Sequence, residues 1–327
     1  MKNFEFSRAT SLSDASLRTQ EAGVLLMAGG TSLVDLAKCG VTEPDMVVDI
    51  TRLGGLDQIE VSERGATLGA LSRMAAVADH AGIKAEFPAI AQSLSLAASQ
   101  QLRNMATIAG NLMQRTRCAY FRDPGAFPAC NKRQPGSGCS ALGGVTRNHA
   151  VLGTSRECIA SYPGDLAVAL LAFDATIETT DRRIPIGEFF LEPGETPHLE
   201  TLLRPGEIIT AIVVPASAAA HRSTYLKVRD RQSYEFAAAS AAVGLQLEDD
   251  GRTIRDLRVA LGGVATVPWR ASRVEQALIG QVLDEGTVRQ ASLLAVEGAV
   301  AHGDNHYKID LVPRVVTRAI LTLGGLA

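Results

Sequence analysis

Residues 116–157 show neither the 3.6-residue period of a helix nor the two-residue alternation of a strand. Structureless stretches of that length are uncommon inside compact domains unless they carry function or a metal. The part CAYFRDPGAFPACNKRQPGSGC, residues 118–139, holds three of the five cysteines among glycines and prolines, and Cys158 follows. Cys118, Cys130, Cys139 and Cys158 are spaced C-x11-C-x8-C-x18-C. Four thiolates on a backbone free to wrap a centre can hold a zinc ion or an iron–sulfur cluster. The spacing is wider than the C-x2-C knuckles of most structural zinc sites, which favours a cluster. The plain alternative is unrelated buried thiols, since free cysteine packs as a small hydrophobe. Three cysteines in a polar loop weigh against it. Cys39 stands apart, and an odd total fits a disulfide framework poorly.

The 327 residues are 46% apolar and 20% charged, and no apolar run approaches the roughly 18–20 residues of a membrane span. Domains usually hold about 100–200 residues, so two or three units are expected. A net charge of −3 lacks the basic excess that nucleic acid or an anionic membrane surface would require. The opening MKNFEFSRATSLSDAS has no apolar signal core and no twin-arginine pair, so the cytoplasm is the default expectation.

GVLLMAGGTSLVDLAKCG reads as a strand from Val24 to Ala28, a glycine turn, and a helix closed by Gly40. DMVVDI at 45–50 reads as a second strand, predicting a parallel β-α-β unit. LDQIEV and GATLGA are strand-like, and SRMAAVADHAG predicts a helix capped by Ser72 and stopped by Gly82. Residues 87–102 predict one helix starting at Pro88, and MATIAGNLMQ a turn. YPGDLAVALLAFDA predicts a Pro-started, buried helix. A hairpin in ATIETTDRRIPIGEFF, a strand ending at Pro215, two strands about an Asp-Asp-Gly turn, and two or three amphipathic helices over 271–327 complete the pattern, with a domain boundary near 218.

In AGGTS, Gly29 and Gly30 allow a sharp turn and close ligand approach, with free N–H groups at the next helix start suited to a phosphate. It is neither G-x-G-x-x-G nor a Walker loop, and such a turn alone is commonly structural. In TIAGN, Gly110 sits beside the Thr107 hydroxyl and the Asn111 amide, which can bond a heteroaromatic ring; an ordinary turn is the alternative. Asp165 fits either a ribose contact or a charge favoured by the helix dipole. The six histidines form no H-E-x-x-H pair, there is no G-x-S-x-G elbow, and no residue is assigned a catalytic role. LKVRDRQSYEFA at 226–237 reads as a solvated charged face.

Taken together, LLMAGGTSL, TIAGNL, YPGDLAVALLAFDA, GEIITAIVVP and YLKVRD resemble, in order and spacing, the FAD-binding subunit of the molybdenum hydroxylases, the xanthine dehydrogenase and aldehyde oxidoreductase family. The resemblance covers essentially the whole chain. It implies an α+β fold: a vanillyl-alcohol-oxidase (PCMH) type FAD-binding domain over 1–218, in subdomains 1–55 and 56–218 with a cysteine-rich insert at 112–160, and an α+β C-terminal domain over 219–327 with an antiparallel sheet and helices. Carried over by position, the FAD residues are Leu26, Met27, Ala28, Gly29, Gly30, Thr31, Ser32 and Leu33 in the pyrophosphate loop, with Ala97, Ala98, Thr107, Gly110, Asn111, Asp165, Ile209 and Lys227.

Most of that family passes almost directly from the GN loop to the aspartate helix, whereas about fifty residues intervene here. RCAYFRD, CNKRQPGSGC and HAVLGTSRECIASYPGDLAVAL are similar to the bacterial aldehyde oxidoreductase branch whose flavin subunit carries an extra [4Fe-4S] cluster. That implies Cys118, Cys130, Cys139 and Cys158 as cluster ligands. The implied function is electron transfer by FAD and the cluster within a heterotrimeric aldehyde oxidoreductase. Its partners would be a large subunit holding the molybdenum cofactor and a small subunit with two [2Fe-2S] clusters, and it would reach the periplasm only by co-export with a twin-arginine partner. Alternatives are the flavin subunit of a xanthine or heteroaromatic dehydrogenase, a zinc-stabilised assembly subunit, and a stand-alone flavoenzyme similar to the UDP-N-acetylmuramate reductases.

Overall fold

Short apolar runs punctuated by glycine produce three separate sheets in the computed structural model, which describes residues 1–326. The first is parallel, with β1 (Glu5–Arg8), β2 (Val24–Met27) and β3 (Met46–Asp49) in the order β1-β3-β2. Val47 of β3 pairs with Phe6 on one side and Leu25 on the other. Parallel neighbours need crossovers. These are the helices Leu12–Arg18 and Leu33–Lys38. The β-α-β unit is therefore present. β1 was not foreseen, because Glu-Phe-Ser-Arg carries no apolar run and becomes a strand only by pairing with β3.

The second sheet is antiparallel: β4 (Ile59–Ser62), β5 (Gly65–Gly69), β6 (Thr176–Thr179), β7 (Arg183–Pro185) and β8 (Ile209–Pro215), ordered β4-β5-β8-β6-β7. Leu68, Ile177 and Ile212 share one core with the helices Pro88–Ser95 and Asp165–Ala172. Every residue of Asp165–Ala172 is buried, as its apolar run requires. The third sheet, β9 (Ser223–Val228), β10 (Ala239–Leu247), β11 (Ile254–Gly262) and β12 (Trp269–Arg270), is antiparallel in the order β12-β11-β10-β9. It packs against Ser272–Leu278, Glu285–Ser292 and Tyr307–Gly324 around a second core. At Gly262 a Cβ would stand 2.7 Å from Val168, so glycine lets β11 lie close to the buried helix. Among the described residues no helix is long and apolar enough to cross a membrane.

Local departures from expectation fall around the future site. Ser72 does not cap the helix Met74–Asp79; its Oγ donates to the Gln58 carbonyl. Gly82 lies inside the following helix, Ala81–Glu86, which His80 caps through Nδ1. The single helix expected over 87–102 is two, Pro88–Ser95 and Gln100–Met105, broken where Ala98 takes φ 46°. MATIAGNLMQ is no loose turn, because Thr107 caps the helix Ile108–Leu112. Pro163 lies outside its helix, which begins at Asp165 after Gly164.

Candidate functional site

Thr31, Ser32, Ala97, Ala98, Gly110, Asn111 and Asp165 line one cavity of about 220 Å³. The glycine loop supplies its first edge. A Cβ on Gly29 would stand 2.0 Å from the Met105 carbonyl oxygen, and Gly30 has φ 74°, so neither position accommodates a side chain. Among the described residues, the N–H groups of Thr31, Ser32 and Leu33 donate to no backbone carbonyl or side chain. Leu26 and Ala28 pack into the N-terminal core and Met27 lies beneath Gly30, so these residues shape the loop without facing the cavity.

The second edge is the turn between the broken helices. The Leu96 carbonyl accepts from Lys227 Nζ at 3.2 Å and from Arg229 Nη1 at 2.9 Å, and the Ala97 carbonyl accepts from Arg103 Nη1 at 2.7 Å. Three cations thus hold carbonyls that a continuous helix would have used internally, and Ala98 can remain left-handed. Thr107 Oγ1 accepts from the Gly110 N–H at 3.3 Å, and a Cβ at Gly110 would lie 2.9 Å from that oxygen. Asn111 donates Nδ2 to Met74 Sδ, while its Oδ1 is buried without a partner. An orphaned amide oxygen on a cavity wall fits a ligand that brings an N–H, as a flavin ring or an adenine does.

Asp165 closes the floor at 5% exposure. Its Oδ1 accepts from the Tyr225 hydroxyl and its Oδ2 from Lys227 Nζ, both at 2.7 Å, and the Tyr225 oxygen also bonds Ser240 Oγ at 2.8 Å. Burial, reinforced by the Asp165 charge, pushes the Tyr225 hydroxyl well above its ordinary pKa, so it stays a donor. Lys227 therefore meets the cavity through Asp165 and does not line it itself. Ile209 lies in β8, buried in the core of the second sheet and paired with Thr179, away from the cavity lining. Sequence reasoning missed Tyr225, and the signal was there: Tyr225 and Lys227 alternate on one face of β9. It also missed Arg231, Tyr234, Glu235 and Phe236, which line the same cavity and belong to the stretch read as a solvated face.

All five cysteines are free thiols. Cys130 and Cys139 face each other across an antiparallel bridge, fastened by the Asn131 N–H on the Gly138 carbonyl and the Gly138 N–H on Asn131 Oδ1, both at 2.7 Å. Burial pushes the Cys118 thiol up to about 12, against the N–H groups of Phe121 and Tyr120, with the Cys158 and Cys130 thiols adding to the rise. Burial also raises Cys158, opposed by Lys132 and reinforced by Cys139 and Cys130. Each of the four thiols expected as ligands thus lies within electrostatic reach of at least one other, a donor set whose chemistry fits a thiophilic centre. Bonding geometry is not assembled: among the described residues no group of three His, Cys, Asp or Glu side chains is placed to hold a metal ion. Cys39 ends the helix Leu33–Lys38. His149, which opens the HAVLGTSRECIASYPGDLAVAL match but was given no role, is 5% exposed with Nε2 3.2 Å from Cys118 Sγ and, among the described residues, Nδ1 without a partner.

A cavity joining a glycine loop, a capped Thr-Ile-Ala-Gly-Asn turn and a buried aspartate defines a dinucleotide-binding class, and comparison with known proteins gives it a family. Residues 2–217 match the FAD binding domain in molybdopterin dehydrogenase, and 224–323 match the CO dehydrogenase flavoprotein C-terminal domain. The chain belongs to the FAD-binding subunits of the molybdenum hydroxylase family, which are oxidoreductase subunits. It is 44% identical over 285 residues to the aldehyde oxidoreductase FAD-binding subunit PaoB of Escherichia coli K12, covering 85% of this chain and 86% of that one. The glyceraldehyde dehydrogenase medium chain of Sulfolobus acidocaldarius is 28% identical over 292 residues, covering 88% and 84%. Quinoline 2-oxidoreductase from Pseudomonas putida 86 superposes with a TM-score of 0.74 at 22% identity, over 100% of this chain and 99% of that one. The Cu,Mo-CO dehydrogenase superposes at 0.75 and 21% over the whole of both chains. At that identity the likeness speaks for the fold, and it is the α+β fold that the sequence motifs implied.

Proposed function

We propose that this chain is the FAD and [4Fe-4S] electron-transfer subunit of a heterotrimeric molybdenum-containing aldehyde oxidoreductase. It would receive electrons from a small subunit with two [2Fe-2S] clusters, while a large subunit holding the molybdenum cofactor performs the substrate chemistry. The observation that carries the reading is the convergence of Thr31, Ser32, Ala97, Ala98, Gly110, Asn111 and Asp165 on one cavity with an unsatisfied Asn111 oxygen. The names printed for the relatives from Escherichia coli and Sulfolobus acidocaldarius, an aldehyde oxidoreductase and a glyceraldehyde dehydrogenase, favour an aldehyde over a heteroaromatic substrate.

FAD, when bound, supplies the exchange between one- and two-electron carriers. The chain's own residues fix and shield it. The glycine loop offers backbone donors to a diphosphate, and Asn111 offers an amide acceptor. Asp165, neutralised by Lys227 and Tyr225, gives a rigid polar floor. Cys118, Cys130, Cys139 and Cys158 would hold the cluster, and the N–H groups of Tyr120 and Phe121 near Cys118, with Lys132 near Cys158, would set how easily it takes an electron.

Metal, sulfide and flavin analysis of the anaerobically purified complex, with EPR spectroscopy, tests this. Iron with acid-labile sulfide beyond the two [2Fe-2S] clusters is expected, together with one FAD. Zinc in place of that iron would overturn the cluster, and a colourless subunit would overturn the flavin. Cys130→Ser should lower the iron content of this subunit, whereas Cys39→Ser should leave it intact.

A further inference from the structure

The cysteine segment is also a wall of the dinucleotide cavity. Arg117, one residue before Cys118, lines that cavity beside Thr31 and Asn111. It also lines a neighbouring cavity of about 390 Å³ that contains Cys118 and His149. Phe236 borders both spaces, and the Arg117 guanidinium lies 4.8 Å above its ring. The Arg117–Phe236 pair, a cation over an aromatic face, therefore stands in the partition between them together with Pro163 and Glu235, which also line both.

The same arginine is tied to the glycine loop. Arg117 Nη1 donates to Asp35 Oδ2 at 2.9 Å, and Arg122 Nη1 donates to the same oxygen at 2.6 Å. Asp35 stands in the first turn of the helix Leu33–Lys38, directly after Thr31 and Ser32. Arg117 precedes and Arg122 ends the one-turn helix Ala119–Arg122, which Cys118 caps. Phe121, 1% exposed, and Cys130 pack with Leu36 of the Asp35 helix, and Arg122 Nε also fixes the Thr116 carbonyl at 2.9 Å. Two guanidiniums on one carboxylate leave positive charge in excess at the cavity edge where the glycine loop turns, the sign that suits a diphosphate.

We propose that occupancy of the thiol site and occupancy of the dinucleotide cavity are thermodynamically coupled through Arg117, Arg122 and Asp35. A centre bound by the cysteines clamps residues 117–122 from one side. The clamped arginines hold Asp35, and with it the glycine-loop helix, in the arrangement that accepts a dinucleotide. The coupling is reciprocal, so a bound dinucleotide favours a filled thiol site by the same factor. The inference rests on the FAD and cluster reading above for the identity of the two occupants.

The test is a double-mutant cycle on the assembled complex, with the FAD dissociation constant read from flavin fluorescence and the iron of this subunit measured in parallel. Emptying the thiol site by Cys130→Ser leaves the partner's clusters untouched. It should weaken FAD about tenfold, within the range usual for coupled sites. Asp35→Asn should weaken FAD by a similar factor while keeping its iron, and the double variant should be no worse than the weaker single one. Should Cys130→Ser not assemble, Arg122→Gln serves, because Arg122 does not line the cavity: FAD about tenfold weaker at unchanged iron content supports the coupling. FAD affinity unchanged in Cys130→Ser or in Arg122→Gln, or effects of Cys130→Ser and Asp35→Asn that simply multiply, would overturn the coupling and leave the functional reading standing. A wild-type complex that binds FAD but holds no metal at the thiols would overturn both the coupling and the cluster.

Discussion

The cavity floor and the cysteine cluster are both polar, one buried and the other half-buried, and they stand in opposite states of completion. At Asp165 each carboxylate oxygen has its donor, and the Lys227 ammonium that neutralises it is only 1% exposed. At the cysteines the Cys118 and Cys158 thiols are pushed toward protonation by burial, and among the described residues His149 Nδ1 has no partner. A site whose polar groups already satisfy one another is preorganised and receives its ligand without rearrangement. A site whose groups remain in want of partners gains stability from its ligand, as metal-coupled folding does. The floor is therefore expected to hold its shape empty, while the cysteine segment, on the proposed reading, depends on its centre.

The hardest blow to that contrast would be Lys227→Met. It strands a buried carboxylate and should cost about 3–5 kcal/mol in urea unfolding, with flavin lost in step. A cost below about 1 kcal/mol would mean that Asp165 is solvated and the floor not preorganised. Glu207 gives a second satisfied carboxylate for comparison, bonded by Arg182, Thr179 and the Arg204 N–H. The Arg182 guanidinium, first among these, holds its carboxyl down at about 2. An unfolded glutamate titrates near about 4.3, so this stabilisation is complete above that pH and lost as pH falls toward 2. Glu207→Gln should cost about 2 kcal/mol at neutral pH and flatten the acid limb of the stability curve between those values. Glu200→Gln probes the other side. Glu200 pairs Arg115 and Lys132 at the edge of the cysteine segment at 2.6 and 2.7 Å, partly buried, so about 1 kcal/mol is expected. Its loss should be larger in the metal-free protein than in the loaded one if the segment depends on its centre. The smallest effect is Ala98→Gly, which relieves a left-handed alanine and should change the melting midpoint by the equivalent of less than about 1 kcal/mol.

What could be read from the chain alone followed the range of the forces involved. Gly29, Gly30 and Asp165 were legible because a sharp turn and a helix start are local demands, met within a few residues. The break at Ala98 was not, since residues 87–102 carry a continuous helical pattern and only Lys227, Arg229 and Arg103 draw its carbonyls away. Tyr225 was half legible, its alternation with Lys227 visible and its target invisible until the third sheet meets the buried helix. The cysteines announced themselves by type and spacing. Their surroundings did not: Val151 and Leu152, inside the irregular stretch, belong to the core of the third sheet, and Val151 donates to Val264. Long-range pairing of this kind leaves no periodic trace.

The two ends of the irregular stretch lie side by side. Thr116 Oγ1 donates to the Ser161 carbonyl at 2.9 Å, and the Tyr162 hydroxyl to the Leu112 carbonyl at 3.1 Å. A chain that leaves and returns through the same doorway is a cassette in its covalent path, though not in its packing, since Val151 and Leu152 still fill the core of the third sheet. Lengthening such a detour costs little in loop entropy, each doubling only about 0.6 kcal/mol. Excised between Arg115 and Tyr162 and bridged by a few residues, this one would take the four thiols and Arg117 with it. What would remain is a doorway framed by Leu112 and Tyr162, with Asp165 a short step beyond.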